Sequence, residues 1–144
     1  MSQEDLELVR RWYALLPDLR DVDAADDRAL ADRAFRDFFD EEWELRLPSG
    51  YPEGEPTFRG REGFAQLVAM LRDAWSEWRF ETERFLDAGG RVVVFVRVVA
   101  RGSGSGVPIE LHDAHVVSLD GGRITSIRVY RDRTEALAAV GVER

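Results

Sequence analysis

The segment RVVVFVRVVARGSGSGVPIELHDAHVVSLDGGRITSIRVYR, Arg91 to Arg131, decides the fold of this chain. Apolar residues recur in it with a period of two, the pattern of strands that bury one face. Gly102 to Gly106 and Asp120-Gly121-Gly122 interrupt the pattern, and Gly89-Gly90 precedes it. The spacing therefore predicts hairpins and an antiparallel sheet. Strands are expected at Trp78–Leu86, Arg91–Arg101, Val107–Leu119 and Arg123–Arg131.

Upstream the period becomes helical. Leu6, Val9, Trp12, Tyr13 and Leu16 share one face of a first helix, which opens on the capping box Ser2–Asp5 and stops at Pro17. A second helix is expected from the N-cap Asp23. Asp26 and Asp27 sit in its first turn, and its stripe is Leu30, Ala34, Phe35 and Phe38. Trp43–Leu47 alternates strictly and reads as a short strand. Pro48, Pro52 and Pro56 with Gly50, Gly54 and Gly60 make Pro48–Gly60 a loop, which carries Tyr51 and Phe58. A third helix carries Phe64, Leu67, Val68, Leu71 and Trp75 at i, i+3, i+4, i+7 and i+11. A short last helix runs from the N-cap Asp132, with Glu135 three residues on, to Gly141. With no repeat and no linker, residues 1–144 are expected to form one α+β domain.

Composition narrows the chemistry. At 144 residues the chain can bury roughly 68–70% of its unfolded surface without staples. Its formal charge is −8, from 28 acids against 20 bases, which argues against nucleic acid and anionic membrane surfaces as partners. Cysteine is absent, excluding thiolate nucleophiles, disulfides and Cys-ligated zinc. All 20 bases are Arg, so no Schiff-base lysine exists. No apolar run approaches 18 residues and MSQEDLELVR has no signal-peptide pattern. The expectation is a cytoplasmic protein.

No P-loop, HExxH helix, EF-hand loop or G-x-S-x-G elbow occurs. Gly102-Ser103-Gly104-Ser105-Gly106 joins two strands instead of opening a helix, so it reads as a hairpin connection and not a phosphate loop. The two histidines, His112 and His115, lie in one strand. Period two puts Ile109, Leu111, Asp113, His115, Val117 and Leu119 on its more apolar face, which is expected to point inward. His112 falls on the opposite face. Because the two imidazoles diverge, no metal site is expected.

Asp113 and His115 lie about 6.6 Å apart along the strand. Burial raises the carboxyl pKa and lowers that of the imidazole, while their attraction opposes both shifts. They are either an acid–base pair or a satisfied buried polar pair. Asp132 is a second candidate acid, although capping accounts for it more simply. Val92, Val94, Val96, Val98, Ala100, Ile127 and Val129 belong to the inward face. Phe95, Val99 and Tyr130 fall outward, on a face more apolar than solvent requires, which suits a sheet-to-sheet homodimer. Trp12, Trp43, Trp75 and Trp78 read as core fillers or as an aromatic pocket wall.

The order of three helices before a curled sheet, with YPEGEPTFRGREGF (51–64), FLDAGGRVVVFVRVVARGSGSGVPIELHDAHVVSLDGGRITSIRVYRD (85–132) and TEALAAVGV (134–142), resembles a SnoaL-like member of the nuclear transport factor 2-like superfamily. The likeness runs over nearly the whole chain. It implies a cone-shaped α+β barrel, with three helices from the N-terminal half on a curved antiparallel sheet and a short C-terminal helix. One deep pocket would lie inside, and dimers would form through the sheet's outer face. Asp113 and His115 would be its floor, Val94, Val96, Val98, Ile127 and Val129 its walls, and Trp12 would sit above. Arg46 joins if Glu44 and Arg46 face inward; parity instead points Trp43, Leu45 and Leu47 inward.

The superfamily's catalytic sets transfer incompletely. Among ketosteroid-isomerase roles, His115 is similar in position to the oxyanion-hole Asp, the Tyr position looks like Trp12, and the base falls near Arg46. Two of those three roles are lost. The acid/base Asp of SnoaL-type cyclases falls near Val129, with Asp132 on the other strand parity. The Asp–Arg–Asp set of limonene-epoxide hydrolases has no counterpart, and scytalone dehydratase chemistry needs two pocket histidines. Two readings stay open, neither with a cofactor. One is a pocket that binds a small, mainly apolar, oxygenated molecule. The other is an acid–base isomerase, cyclase or dehydratase in which His115 is acid/base or hydrogen-bond donor and Asp113 its orienting partner.

Overall fold

The computed structural model describes residues 3–15, 27–48, 56–102 and 104–141. Its elements are α1 (Gln3–Leu15), α2 (Asp27–Asp37), β1 (Phe39–Arg46), β2 (Thr57–Arg59), α3 (Gly60–Ala74), β3 (Trp75–Asp87), β4 (Arg91–Gly102), β5 (Pro108–Asp120), β6 (Arg123–Tyr130) and α4 (Arg133–Ala139). The Ser2 cap, Pro17, the Asp23 N-cap, Asp26, Tyr51 and the Trp75 side chain lie outside the described residues.

One six-stranded sheet has the order β2-β1-β6-β5-β4-β3. Strands β3 to β6 form an antiparallel meander. Its β5–β6 turn places Gly121 and Gly122 at φ of 58° and 77°, the left-handed conformation that lets a two-residue turn follow the strands' twist. Strand β1, however, runs parallel to β6, so the sheet is mixed and not wholly antiparallel. A tight turn forces its strands to be antiparallel, whereas β1 enters from α2 and carries no such constraint. The sheet is curved, with register shifts in β1, in β3 and between β5 and β6. It is open instead of closed into a barrel: β2 and β3 are its edges, and no described pairing joins them.

Three boundaries differ from the periodicity. Strand β1 begins at Phe39, four residues before Trp43. Thr57–Arg59, inside the expected loop, pairs with Glu44–Arg46 at the sheet edge. The third helix ends at Ala74, and Trp75 already opens β3. Pairing with a neighbour settled each case, and pairing is invisible to a local period.

The inner face of the sheet is closed by aromatic packing. Phe39 stacks on Trp43 with centroids 4.6 Å apart and planes 7° apart. Trp12 of α1 meets Phe39 at 4.5 Å, and Phe64 of α3 meets Trp43 at 5.8 Å. These rings fasten two helices onto β1. Arg123, at the start of β6, donates to the carbonyls of Phe35, Arg36 and Phe39 at 3.1, 2.9 and 3.1 Å. It thereby answers the unpaired carbonyls at the end of α2.

The outer face is partly covered from within. Ala136 and Leu137 of α4 pack on Val93, Ala114 and Val116, with Phe95 and Tyr130 partly buried beside them. Some of the outward apolar residues that suggested a homodimer are therefore the seat of α4. No described helix is long and apolar enough to cross a membrane.

Asp132 is the N-cap of α4, accepting from the backbone N–H of Thr134 at 2.8 Å and of Glu135 at 3.3 Å. Its carboxyl is thus committed to the helix end. Asp132→Ala should cost about 1 kcal/mol in urea unfolding; an unchanged midpoint would remove the cap from the account of α4.

Candidate functional site

A cavity of about 140 Å³ lies between the inner face of the sheet and helices α1 and α3. Its wall is overwhelmingly apolar and rich in rings, among them Trp12, Trp43, Phe64, Trp78 and Phe80. Four polar side chains interrupt it: Tyr13, Asp113, His115 and Arg131. Met70 and Arg131 are exposed and mark the mouth.

Strand pairing delivers Asp113 and His115. His115 lies opposite Val94 on β4 and Val129 on β6, and Asp113 lies opposite Val96. Partners in an antiparallel pair share a face, so both groups are set among valines, 5% and 6% exposed. Tyr13, 2% exposed on the buried side of α1, reaches down so that its hydroxyl lies 2.6 Å from His115 Nδ1. Phe80 presses edge-on against the same imidazole, centroid to centroid 5.9 Å.

The electrostatics follow from burial. Desolvation lowers the His115 pKa from 6.5 to about 4, so the ring is neutral at pH 7. Burial also pushes the Tyr13 phenol well above its ordinary value, which keeps its proton on. A neutral phenol beside a neutral imidazole has one arrangement that uses the hydroxyl proton: Tyr13 O–H donates to Nδ1. The ring proton then sits on Nε2, which has no partner among the described residues. In this arrangement the pocket holds a neutral N–H donor.

Asp113 differs. Burial raises its pKa, with Arg131, Arg133 and His112 pulling the other way. Its Oδ1 is buried and makes no hydrogen bond. The nearest cation is Arg131, whose Nε is 3.7 Å away, beyond hydrogen-bond reach. Among the described residues no contact joins Asp113 to His115, and the polar groups form two separate pairs, Tyr13–His115 and Asp113–Arg131.

The other sequence candidates sort as follows. Trp12, Val98, Ile127 and Val129 line the cavity. Val94 and Val96 are fully buried on the same face but belong to the core beneath it. Arg46 does not join. It pairs with Arg128 across β1–β6 and sits 3.8 Å from Glu44, while Trp43, Leu45 and Leu47 line the pocket. Simple parity was the sounder guide on that strand. Outside the pocket, His112 Nε2 lies 2.9 Å from Glu110. Arg97 bridges Glu81 and Glu110 on this same face. Among the described residues no three His, Asp or Glu side chains converge.

Periodicity missed Tyr13 and Arg131. Arg131 had a usable signal, since it continues the parity of Ile127 and Val129 past the end of β6. Tyr13 had only its place on an apolar helix face, next to the Trp12 that the resemblance favoured.

The SnoaL-like domain model matches residues 9–127, and the chain belongs to that family. No curated protein matches it. Similar solved structures include a nuclear transport factor 2-like protein of unknown function from Burkholderia pseudomallei, at 19% identity over 99% of this chain and 100% of that one, TM-score 0.70. TerC, co-crystallised with polyporic acid, is 20% identical over 96% and 98% of the two chains, TM-score 0.71. A protein with a ketosteroid isomerase-like fold from Catenulispora acidiphila, in complex with trimethylamine, is 20% identical over 95% and 94%, TM-score 0.66. At these identities the likeness is one of fold.

The buried imidazole ties stability to pH. An unfolded His115 takes up its proton near 6.5 and the folded one only near 4. Stability present above pH 6.5 is therefore lost as pH falls through that window. Asp113, raised by burial, works in the opposite direction in wild type and variant alike. Relative to His115→Gln, wild type should lose about 3 kcal/mol of unfolding free energy between those limits, read from urea titrations. Tyr13→Phe removes the donor to the neutral ring and should raise the lower edge of the window. A difference constant with pH would place the imidazole in water.

Proposed function

We propose that the protein is a binding pocket for a small, mainly apolar molecule that carries a hydrogen-bond-accepting oxygen. The observation that carries this reading is the Tyr13–His115 contact. It leaves Nε2–H as an unpartnered donor within an apolar, ring-lined cavity. A dry apolar cavity of about 150 Å³ holds a molecule of benzene's size, comparable to this one. In such surroundings one placed donor sets orientation while the rings supply contact area.

Acetophenone and ethylbenzene share shape and differ in the carbonyl, so they test the donor. Trp12, Trp43 and Trp78 line the cavity and supply a fluorescence readout. Wild type should bind the ketone up to about tenfold more tightly, the worth of one hydrogen bond. His115→Phe should abolish the preference. Equal affinities in the wild type would sink the reading.

A second reading is favoured by Asp113, whose Oδ1 is buried without a hydrogen bond in the same pocket. There the protein is a cofactor-independent acid–base enzyme of isomerase, cyclase or dehydratase type. Asp113 as carboxylate removes a proton from the carbon beside a carbonyl. The electron pair moves onto the carbonyl oxygen, and His115 Nε2–H stabilises the oxyanion that develops. Returning the proton at another carbon completes an isomerisation. In heavy water this predicts deuterium uptake into the acetophenone methyl group, seen by NMR and lost in Asp113→Asn while the ketone still binds. Uptake at the buffer rate in the wild type would leave the binding reading alone.

A further inference from the structure

Arg131 is the only cation among the described residues that line the cavity. It lies at the end of β6, where the parity of Ile127 and Val129 carries its side chain over the mouth. Its guanidinium has two usable edges. Nε is turned toward Asp113 Oδ1 at 3.7 Å, and the side chain is 51% exposed. The Nη groups make no hydrogen bond to any described residue, and the guanidinium stacks on no described ring.

This differs from the neighbouring arginine. Arg133 lies over the Phe95 ring at 4.7 Å and donates to Glu83 and to the Val96 carbonyl. Its role is structural. In a chain of net charge −8, where Arg97 and Arg123 are likewise bonded to carboxylates or carbonyls, an arginine half-exposed at the mouth of an apolar cavity is distinctive. If neutralising Asp113 were its whole task, a direct hydrogen bond would be the expected geometry. The 3.7 Å separation leaves Oδ1 without a hydrogen bond and the Nη edge open.

We infer that the pocket is selective for amphipathic organic anions: an apolar body seated among the rings, a carbonyl oxygen at His115, and a carboxylate or other acidic oxygen at the Nη edge of Arg131. The inference rests on the ligand-binding reading of this pocket and names the ligand class. Spacing supports it. Asp113 and His115 are two strand residues apart, and Arg131 lies beside Asp113 toward the mouth. A ligand that reaches both contacts carries its carbonyl and its anion on one short chain. Asp113 lies at the Nε edge of Arg131, so a ligand anion at the Nη edge meets the cation before the carboxyl. Arginine suits the task because its planar fork offers paired N–H groups to two oxygens.

The probes are 3-benzoylpropionate and its methyl ester, which share the aryl ketone and differ in the charge. Calorimetry at low salt should give the acid about a tenfold advantage over the ester in the wild type. Arg131→Gln should erase that advantage, bringing the acid-to-ester affinity ratio to about one. Arg131→Lys, which keeps the charge but loses the fork, should retain part of it. Circular dichroism reports whether each variant folds. An ester that binds as well as the acid in wild type, or an advantage that survives Arg131→Gln, would overturn the inference while leaving the pocket reading intact. If neither probe binds and acetophenone fails as well, both readings fall.

Discussion

The register of β5 against β4 carries everything that follows in this molecule. With Val94 opposite His115 and Val96 opposite Asp113, an imidazole and a carboxyl are committed to the face that the helices cover. A slip of one residue would turn His112 and Ala114 inward and release both polar groups to solvent. The valines of β4 oppose such a slip only through their own inner-face partners, because Val93 is as buried on the outer face as Val92 and Val94 are on the inner. At the other end of β5 the two-residue turn Gly121-Gly122 admits one register against β6.

Within that frame the polar groups of the pocket divide into two pairs of different character. Tyr13 and His115 are both deeply buried and both neutral. One hydrogen bond fixes the tautomer, so the pair provides a donor without a charge to desolvate. Asp113 is as buried as His115, but Arg131 lies 3.7 Å from it with its guanidinium half-exposed at the mouth, which lowers the cost of burying a carboxylate. A single pocket thus combines a dry hydrogen-bond donor with a wetter, charged rim.

The two faces of the sheet are built for different ends. On the inner side the Phe39–Trp43 stack, joined by Trp12 and Phe64, anchors α1 and α3 at one part of the sheet and leaves room between the helices and β5. On the outer side α4 takes the apolar patch around Val93, Ala114 and Val116. Arg97 meanwhile holds Glu81 and Glu110 across three strands, a largely exposed arrangement that contributes little to stability.

Much of this is legible in the sequence. Period two over residues 91–131, with Gly pairs at the turns, determined the meander and the inward direction of Asp113 and His115, because alternation and turn chemistry are local properties of the chain. The Asp132 cap was legible for the same reason. The direction of β1, the edge strand β2 and the open sheet were not, since each depends on hydrogen bonds to a strand distant in sequence. The partners of the two buried polar groups were also out of reach. Which helix residue reaches His115 depends on the rotation of α1 over the sheet, and at one residue's difference it is Tyr13 and not Trp12 that arrives. The sequence by itself determined which groups would be buried. Tertiary packing decided what each would touch, because side chains 102 positions apart meet only through the fold.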